Sequence, residues 1–351
     1  MFQFTIWNDC SVWLPTPLLH TKKTKNMKVV VAENYGGPKV LQIKEVEKPT
    51  PKVNEVLIRI KATSITAAST FMREGTPYFG RLIIGLTKPK VKIPGTDLSG
   101  VIEAIGTEVV NFKIGDKVMA ETGLTCGGYA EYICLSADEL IVIQPENASP
   151  EEATGIIDGA STALAFFTDQ VEITKGQRVL INGASGSIGT AAIQLAKQFG
   201  AEVTGVCSGK NKALVKDLGA DKVLDYTKNE LRDSVETFDV IFDTVGKLSY
   251  CDSRKHLKNQ GVFLTPVLSF STLIFMALVS PFSKKKLKFA ATGIRKQSLR
   301  MRDLIEIRDM LAANKLTTVI DRVYPFDQIQ EAHGYVDSGR KRGNVILSIH
   351  S

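Results

Sequence analysis

The sequence predicts an α/β chain in which a β-rich, barrel-like domain precedes a doubly wound parallel sheet. Three observations predict it. Before about Ser149 the apolar runs are short and broken by turn residues, and after about Pro150 strand-like and helix-like segments alternate. At Val179–Gly189 the stretch VLINGASGSIG passes from a β-branched run, through three evenly spaced glycines, into a helical pattern. Short strands with frequent turns suit an antiparallel barrel, and strand–helix alternation suits a parallel sheet covered on both faces.

The elements follow in order. Residues 1–26 hold two tryptophans, two prolines and no clear period. They lack the charged start and small-residue cleavage site of a secretory signal, and a poorly ordered extension is expected there. Met27 opens the first domain, expected over 27–149. KVVVAE, VLIRIKAT, GVIEAIG, DKVMAE and AEYICL are its strand-like runs. GGP at 36–38, PTP at 49–51, PGTD at 94–97 and IGDK at 114–117 punctuate them. The second domain is expected over 150–316. It reads as helix 151–169, strand 178–182, helix 187–199, strand 202–207, helix 211–218, strand 221–225 and a helix near 228–235. Strands 239–243 and 261–265 and a helix near 301–313 complete it. The tail 317–351, with VIDRVYPF, a helix near 327–337 and NVILSI, returns to the first domain.

Bulk composition narrows the class. A chain of 351 residues can bury two cores, and 44% hydrophobic with 23% charged residues is ordinary for a globular protein. The net charge of +7 hints at anionic partners or surfaces, though no nucleic-acid partner is expected. Five cysteines stand singly, without CxxC or disulfide-like spacing, which points to a reducing, cytoplasmic compartment.

The glycine turn carries the first chemistry. A strand, a tight glycine turn and a helix place backbone N–H groups at a helix N-terminus, where they hold a pyrophosphate. Gly183, Ser185, Gly186, Ser187, Ile188 and Gly189 are the candidate cofactor-binding residues there.

From Met27 onward the chain resembles the zinc-free, quinone-oxidoreductase-like branch of the medium-chain dehydrogenase/reductase superfamily. The resemblance rests on NEVLIRIKATSIT, IPGTDLSGVIEAIG, FKIGDKV, GGYAEY, the segment GQRVLINGASGSIGTAAIQLAKQFGAEVTGVC, LGADKVLDY and GRKRGNVILSI, in that order. It implies a GroES-like catalytic domain wrapped around an NAD(P)-binding Rossmann domain, and a homodimer. Zinc-dependent members carry Cys where this chain has Thr66, and a His–Glu pair where it has Thr96–Asp97. Threonine is a poor zinc ligand, and the four histidines are dispersed, so no metal site is expected. Without a Lewis acid, hydride addition to a conjugated C=C bond or a quinone fits better than alcohol–carbonyl interconversion. The small-molecule substrate is then a quinone or an α,β-unsaturated carbonyl. A metal-free alcohol dehydrogenase and an NADPH-binding regulatory protein are the alternatives.

Cofactor choice follows from the second strand. EVTGVC ends in Cys207-Ser208-Gly209-Lys210-Asn211-Lys212, with no carboxylate at its end. NAD-preferring proteins place one there for the ribose 2′-OH. Ser208, Lys210 and Lys212 suit a 2′-phosphate instead, so NADPH is expected. The resemblance adds Tyr226 at that phosphate and Thr162 beside the nicotinamide. It also adds Val245 in FDTVG, Leu264 and Thr265 flanking the ring, and Asn344 where the tail touches the cofactor. Asp158 departs from the family pattern. Thr66 and Ser69 are expected to line the substrate pocket.

Two apolar-then-basic segments stand apart. Residues 267–282 are apolar and run into Ser283-Lys284-Lys285-Lys286-Leu287-Lys288, and FGRLIIGLTKPKVK at 79–92 has a similar make-up. The first is short of the ~20 residues that span a bilayer. A subunit contact or pocket wall, and peripheral docking to an anionic membrane, are the two readings.

Overall fold

The computed structural model describes residues 26–276 and 283–349. Apart from Asn26, the expected N-terminal extension lies outside them, as do residues 277–282 of the apolar run.

Strands β1 (Asn26–Ala32) and β2 (Leu41–Glu47) form an antiparallel pair. They are followed by β3 (Glu55–Ser64), α1 (Ala67–Glu74), α2 (Arg81–Ile84), β4 (Asp97–Ile105), β5 (Lys117–Glu121), β6 (Tyr132–Ser136) and β7 (Ile141–Ile143). β3 is the spine of this domain. Its Val56, Ile58 and Ile60 are fully buried at alternate positions, as a strand's two-residue period requires. β4 and β6 both pair with it antiparallel.

Helix α3 (Pro150–Ala165) enters the second domain. Ser149 and Glu152 form a reciprocal capping box, with bonds of 3.1 and 2.8 Å, and Pro150 sits at the first helical position. Such a cap is worth about 1 kcal/mol. Then come β8 (Arg178–Asn182), α4 (Ser187–Gln198), β9 (Glu202–Cys207), α5 (Lys212–Asp217), β10 (Lys222–Asp225), β11 (Phe238–Asp243) and α6 (Tyr250–Ser253). β12 (Leu257–Thr265), α7 (Phe270–Ile274), β13 (Lys286–Phe289) and α8 (Gln297–Ala312) complete it. The six strands lie in the order β10-β9-β8-β11-β12-β13, all parallel. Chain order reverses between β8 and β11, which opens a crevice at their carboxyl ends.

The tail supplies β14 (Ile320–Pro325), α9 (Ile329–Asp337) and β15 (Asn344–Ser348). β15 pairs with β3, so the tail strands extend the first domain's sheet. The fold is the expected α/β one, a doubly wound parallel sheet joined to a GroES-like β-rich domain. The halves share packing, because Met119, Leu140 and Val142 of the first domain join the core of α3, α4 and the parallel sheet.

The short helices α1, α2, α6 and α7 were not expected, and four further elements differ from the expectation. No helix forms at 228–235. A single 3-10 turn, Tyr226–Lys228, stops at Asn229 in the left-handed region, and Glu230 turns back to accept from the Asp225 N–H at 2.7 Å. β2 was hidden because LQIKEVE is almost wholly exposed. β7 has three residues, too few to show a period. β13 was hidden inside a basic run. Its Lys286 and Lys288 stand in a strand at the sheet edge, where Lys288 Nζ donates to Gln170 O.

Candidate active site

The three glycines of the turn do different work. Gly183 has φ +76, and a Cβ there would stand 2.6 Å from Val245 Cγ1 and 2.7 Å from Thr244 Oγ1. A Cβ on Gly189 would stand 2.2 Å from Gly183 O, so its absence lets α4 sit hard against the turn. A Cβ on Gly186 would meet only Gly183 O, at 3.4 Å. The backbone at Gly186 therefore faces open space, at the start of α4. No side chain caps that helix, and its first N–H groups are available to an anion.

The tail closes over this turn. Gly186 and Gly343 form a bridge, Gly343 N–H donates to Ser185 O at 2.7 Å, and Ser187 Oγ donates to Asn344 Oδ1 at 2.5 Å. Asn344 Nδ2 is anchored on Val319 O at 3.1 Å. Ser185, Gly186, Ser187 and Asn344 thus meet. On the β11 side, the Asp243 carboxylate accepts from Asn182 Nδ2 (2.8 Å) and from the N–H groups of Gly246 (3.2 Å) and Leu248 (2.8 Å). These bonds hold Val245 beside Gly183. Thr162 Oγ1 lies 3.3 Å from Thr292 Oγ1. Thr265 ends β12, buried, and accepts from Val267 N–H at 3.2 Å.

One expected contact falls elsewhere. Leu264 is fully buried in the sheet core, so its side chain does not flank the crevice. Ile188 packs its side chain against that core and keeps its backbone N–H in the first turn of α4.

The loop after β9 is more acidic than its own sequence. Lys212 Nζ is held between both oxygens of Glu230, at 3.1 Å each. Asp225 pairs in register with Cys207, and a Cβ on Gly209 would lie 2.5 Å from its Oδ2. Local bonds and neighbouring lysines hold both carboxyls below their ordinary range. The largest cause is the Thr227 hydroxyl for Asp225 and the Asp225 N–H for Glu230. Ser208 is half-buried and Tyr226 is exposed at 60%. Asn211, overlooked in the sequence, donates to Ser185 Oγ at 2.9 Å and leaves its Oδ1 buried without a partner. Lys210 and Arg340 line one open cleft of about 680 Å³.

Thr66 and Ser69 begin α1 in the other domain. Ser69 N–H donates to Thr66 Oγ1 at 3.0 Å, and Thr66 N–H donates to Ser69 Oγ at 3.1 Å. Ser69 Oγ also accepts from Tyr129 O–H (3.1 Å) and donates to Thr66 O (2.8 Å). Its hydroxyl is fully occupied, whereas the Thr66 oxygen makes only the cap bond. Ser69 also lines an apolar cavity of about 130 Å³, with Met72, Ile83, Pro94, Leu124 and Cys126 among its walls. Arg73 reaches its edge, with its charge answered by Glu74 (2.7 Å) and Asp337 (2.8 Å).

Carboxyls gather where the domains meet. Ser64 Oγ donates to Asp97 Oδ2 at 2.7 Å, and Asp97 pairs across the sheet with Glu121. Burial, and then the charges of Asp158 and Glu121, push Asp97 well above the usual carboxylate range. Burial also raises Asp158, which Lys341 of the tail opposes. Burial lowers Lys341 to about 8. Arg300 of α8 crosses to Glu121 at 2.8 Å, tying the second domain to the first. Sequence reasoning missed Glu121, Arg300 and Lys341, because no local pattern marks partners so distant along the chain.

Comparison with known proteins agrees with this architecture. The family model "Alcohol dehydrogenase GroES-like domain" matches residues 52–145, and "Zinc-binding dehydrogenase" matches residues 218–347. The chloroplastic quinone-oxidoreductase QR1 of Triphysaria versicolor is 30% identical over 337 residues, which is 92% of this chain and 98% of that protein. The chloroplastic NADPH-dependent alkenal/one oxidoreductase of Arabidopsis thaliana is 27% identical, covering 92% and 80%. The solved quinone oxidoreductase from Coxiella burnetii superposes with a TM-score of 0.81 at 28% identity, covering 93% of this chain and all of that one.

Proposed function

The chain belongs to the quinone-oxidoreductase-like branch of the medium-chain dehydrogenase/reductase superfamily, and on that basis we propose that it transfers hydride from NADPH to a quinone or to the conjugated C=C bond of an α,β-unsaturated carbonyl, without a metal. The observation that carries this reading is the glycine turn at the sheet's switch point, open at Gly186, uncapped at α4 and overlaid by the tail at Gly343. Names of relatives agree with it, including a quinone oxidoreductase and an alkenal/one oxidoreductase.

A nicotinamide dinucleotide fits the residues present. The N–H groups of the first turn of α4, beyond the Gly186 N–H that already donates to Gly183 O at 2.9 Å, would hold its pyrophosphate, and the unpartnered Asn211 Oδ1 stands beside that turn. Lys210 and Arg340, which line one cleft, would meet a 2′-phosphate there. This assigns the phosphate chiefly to Lys210 and Arg340, because Lys212 is tied to Glu230. When bound, the cofactor supplies hydride.

Zinc does not fit the donors near Thr66. The Thr66 oxygen already accepts the Ser69 N–H. Asp97 accepts from Ser64, and burial raises its carboxyl well above the usual carboxylate range. Burial pushes the Cys126 thiol up to about 11, and its Sγ donates to Gly123 O at 3.6 Å. A zinc site needs three or four converging thiolate, imidazole or carboxylate donors, and among the described residues no group of three such side chains stands together to hold an ion. What the loop offers is a donor, since the Thr66 O–H is free to stabilise negative charge developing on a substrate oxygen. The apolar cavity beside Ser69 takes the carbon skeleton, and its volume suits one ring or a short alkyl chain.

The test is NADPH oxidation, followed by near-ultraviolet absorbance, against quinones, enones, 2-alkenals and saturated aldehydes. Turnover confined to the conjugated acceptors and insensitive to a chelator is expected. Turnover of saturated substrates alone, or loss on chelation, overturns the reading.

A further inference from the structure

Residues 76–96, TPYFGRLIIGLTKPKVKIPGT, contain no acid. Within them Tyr78 (73%), Leu82 (71%), Leu86 (67%) and Ile83 (57%) are more than half exposed, and Phe79 and Val91 are exposed beside them. Monomeric proteins seldom leave so much contiguous apolar surface in water without a use for it. The segment is also well anchored. Arg81 stacks over Tyr35 and Tyr78, at 4.5 and 4.7 Å from the ring centroids, and donates to Gly75 O at 2.8 Å. Tyr35 O–H donates to Gly85 O at 2.6 Å. These bonds present the apolar side chains on a built surface.

Charge completes the pattern. Lys88, Lys90 and Lys92 follow directly, all exposed. The segment is therefore apolar over Tyr78–Leu86 and cationic over Lys88–Lys92, and the one carboxylate among the described residues that Lys88 and Lys92 are seen to act on, Glu33, is itself paired with Lys44 at 2.7 Å. Its inner side chains, among them Ile84 and Pro89, wall the cavity that reaches Ser69.

We propose that Tyr78–Lys92 docks this protein on an anionic bilayer surface, with Leu82 and Leu86 entering the headgroup–acyl boundary and the three lysines meeting acidic headgroups. Apolar insertion beside cationic side chains is the physical basis of interfacial binding. Each lysine near such a surface contributes roughly fivefold in partitioning, and each inserted leucine roughly tenfold. A protein partner matched to this segment would have to be both greasy and acidic, whereas an acidic lipid surface supplies both at once. Among the described residues no helix is long and apolar enough to cross a membrane, so this contact is peripheral.

The test is co-sedimentation of the full chain with phosphatidylcholine vesicles, with and without phosphatidylserine, at low and high salt. The Leu82→Ser/Leu86→Ser and Lys88→Glu/Lys92→Glu variants are run beside it. Expected is binding to the serine-containing vesicles only, weakened by salt, and lowered about tenfold or more in each double variant with an unchanged melting temperature. No binding at low salt, or equal binding by the variants, overturns the proposal. So does sedimentation velocity in which the leucine variant turns a dimer into a monomer, since the patch would then belong to a second copy of the chain.

Discussion

The hydroxyl of Ser69 accepts two hydrogen bonds and donates a third, which leaves Thr66 as the free donor of the pair. Replacing Thr66 by Val removes that donor together with the helix cap, and replacing it by Ser keeps both. Thr66→Val is expected to lower kcat by about tenfold or more, as loss of one donor to a developing oxyanion does, and stability by about 1 kcal/mol. Thr66→Ser is expected to retain both, and a steady-state comparison with a melting curve checks it. The other decisive residue is Glu230. It lies 18 residues beyond Lys212 and reaches it only because β10 pairs with β9. Glu230→Gln releases Lys212 toward a 2′-phosphate, so the KM for NADPH is expected to fall about tenfold while that for NADH stays level. Equal shifts for both cofactors would place the 2′-phosphate elsewhere. The sequence could be read for the missing carboxylate at the end of β9. It could not be read for one delivered by the neighbouring strand, because that proximity is tertiary.

At the scale of elements, the glycine turn divides into a part that folds and a part that binds. A methyl group on Gly189 collides with Gly183 O, whereas one on Gly186 finds only a contact at ordinary distance. Gly189→Ala is expected to destabilise the protein by about 1–3 kcal/mol, as overpacking does. Gly186→Ala is expected to leave the melting temperature unchanged and weaken NADPH binding at least tenfold, because the added methyl group enters the anion's space. Calorimetric titration beside thermal melting separates the two. Strand–turn–helix spacing made this unit legible, and the alternation after Pro150 made its neighbours legible. Elements without apolar periodicity stayed hidden. β2 shows mostly exposed polar side chains and β13 alternates lysine with apolar residues, so neither carries the buried stripe on which such reading depends. The expected helix at 228–235 fails for a local reason, since Asn229 takes a left-handed conformation and Glu230 caps the strand before it.

At the scale of the whole molecule, the proposed site draws on three stretches of chain. The GroES-like domain brings Thr66 and the apolar cavity, the parallel sheet brings the glycine turn, and the tail brings Asn344 and Lys341. The shared core around Met119 and Leu140, with the Arg300–Glu121 ion pair, fixes the two halves against each other. A hydride donor must meet its acceptor within a narrow range of geometry, and this joint is what holds it. The two-domain order was readable from the change of period near Pro150. The carboxyl cluster of Asp97, Glu121 and Asp158 was not, because it exists only once the halves meet. The central claim is that hydride is added to carbon in conjugation, without a metal. It is tested most directly by reducing a 2-alkenal with NADPH deuterated at the nicotinamide C4 position and locating the label by NMR. The account predicts a saturated aldehyde with deuterium on the β-carbon, while deuterium on the carbonyl carbon of an alcohol product would contradict it.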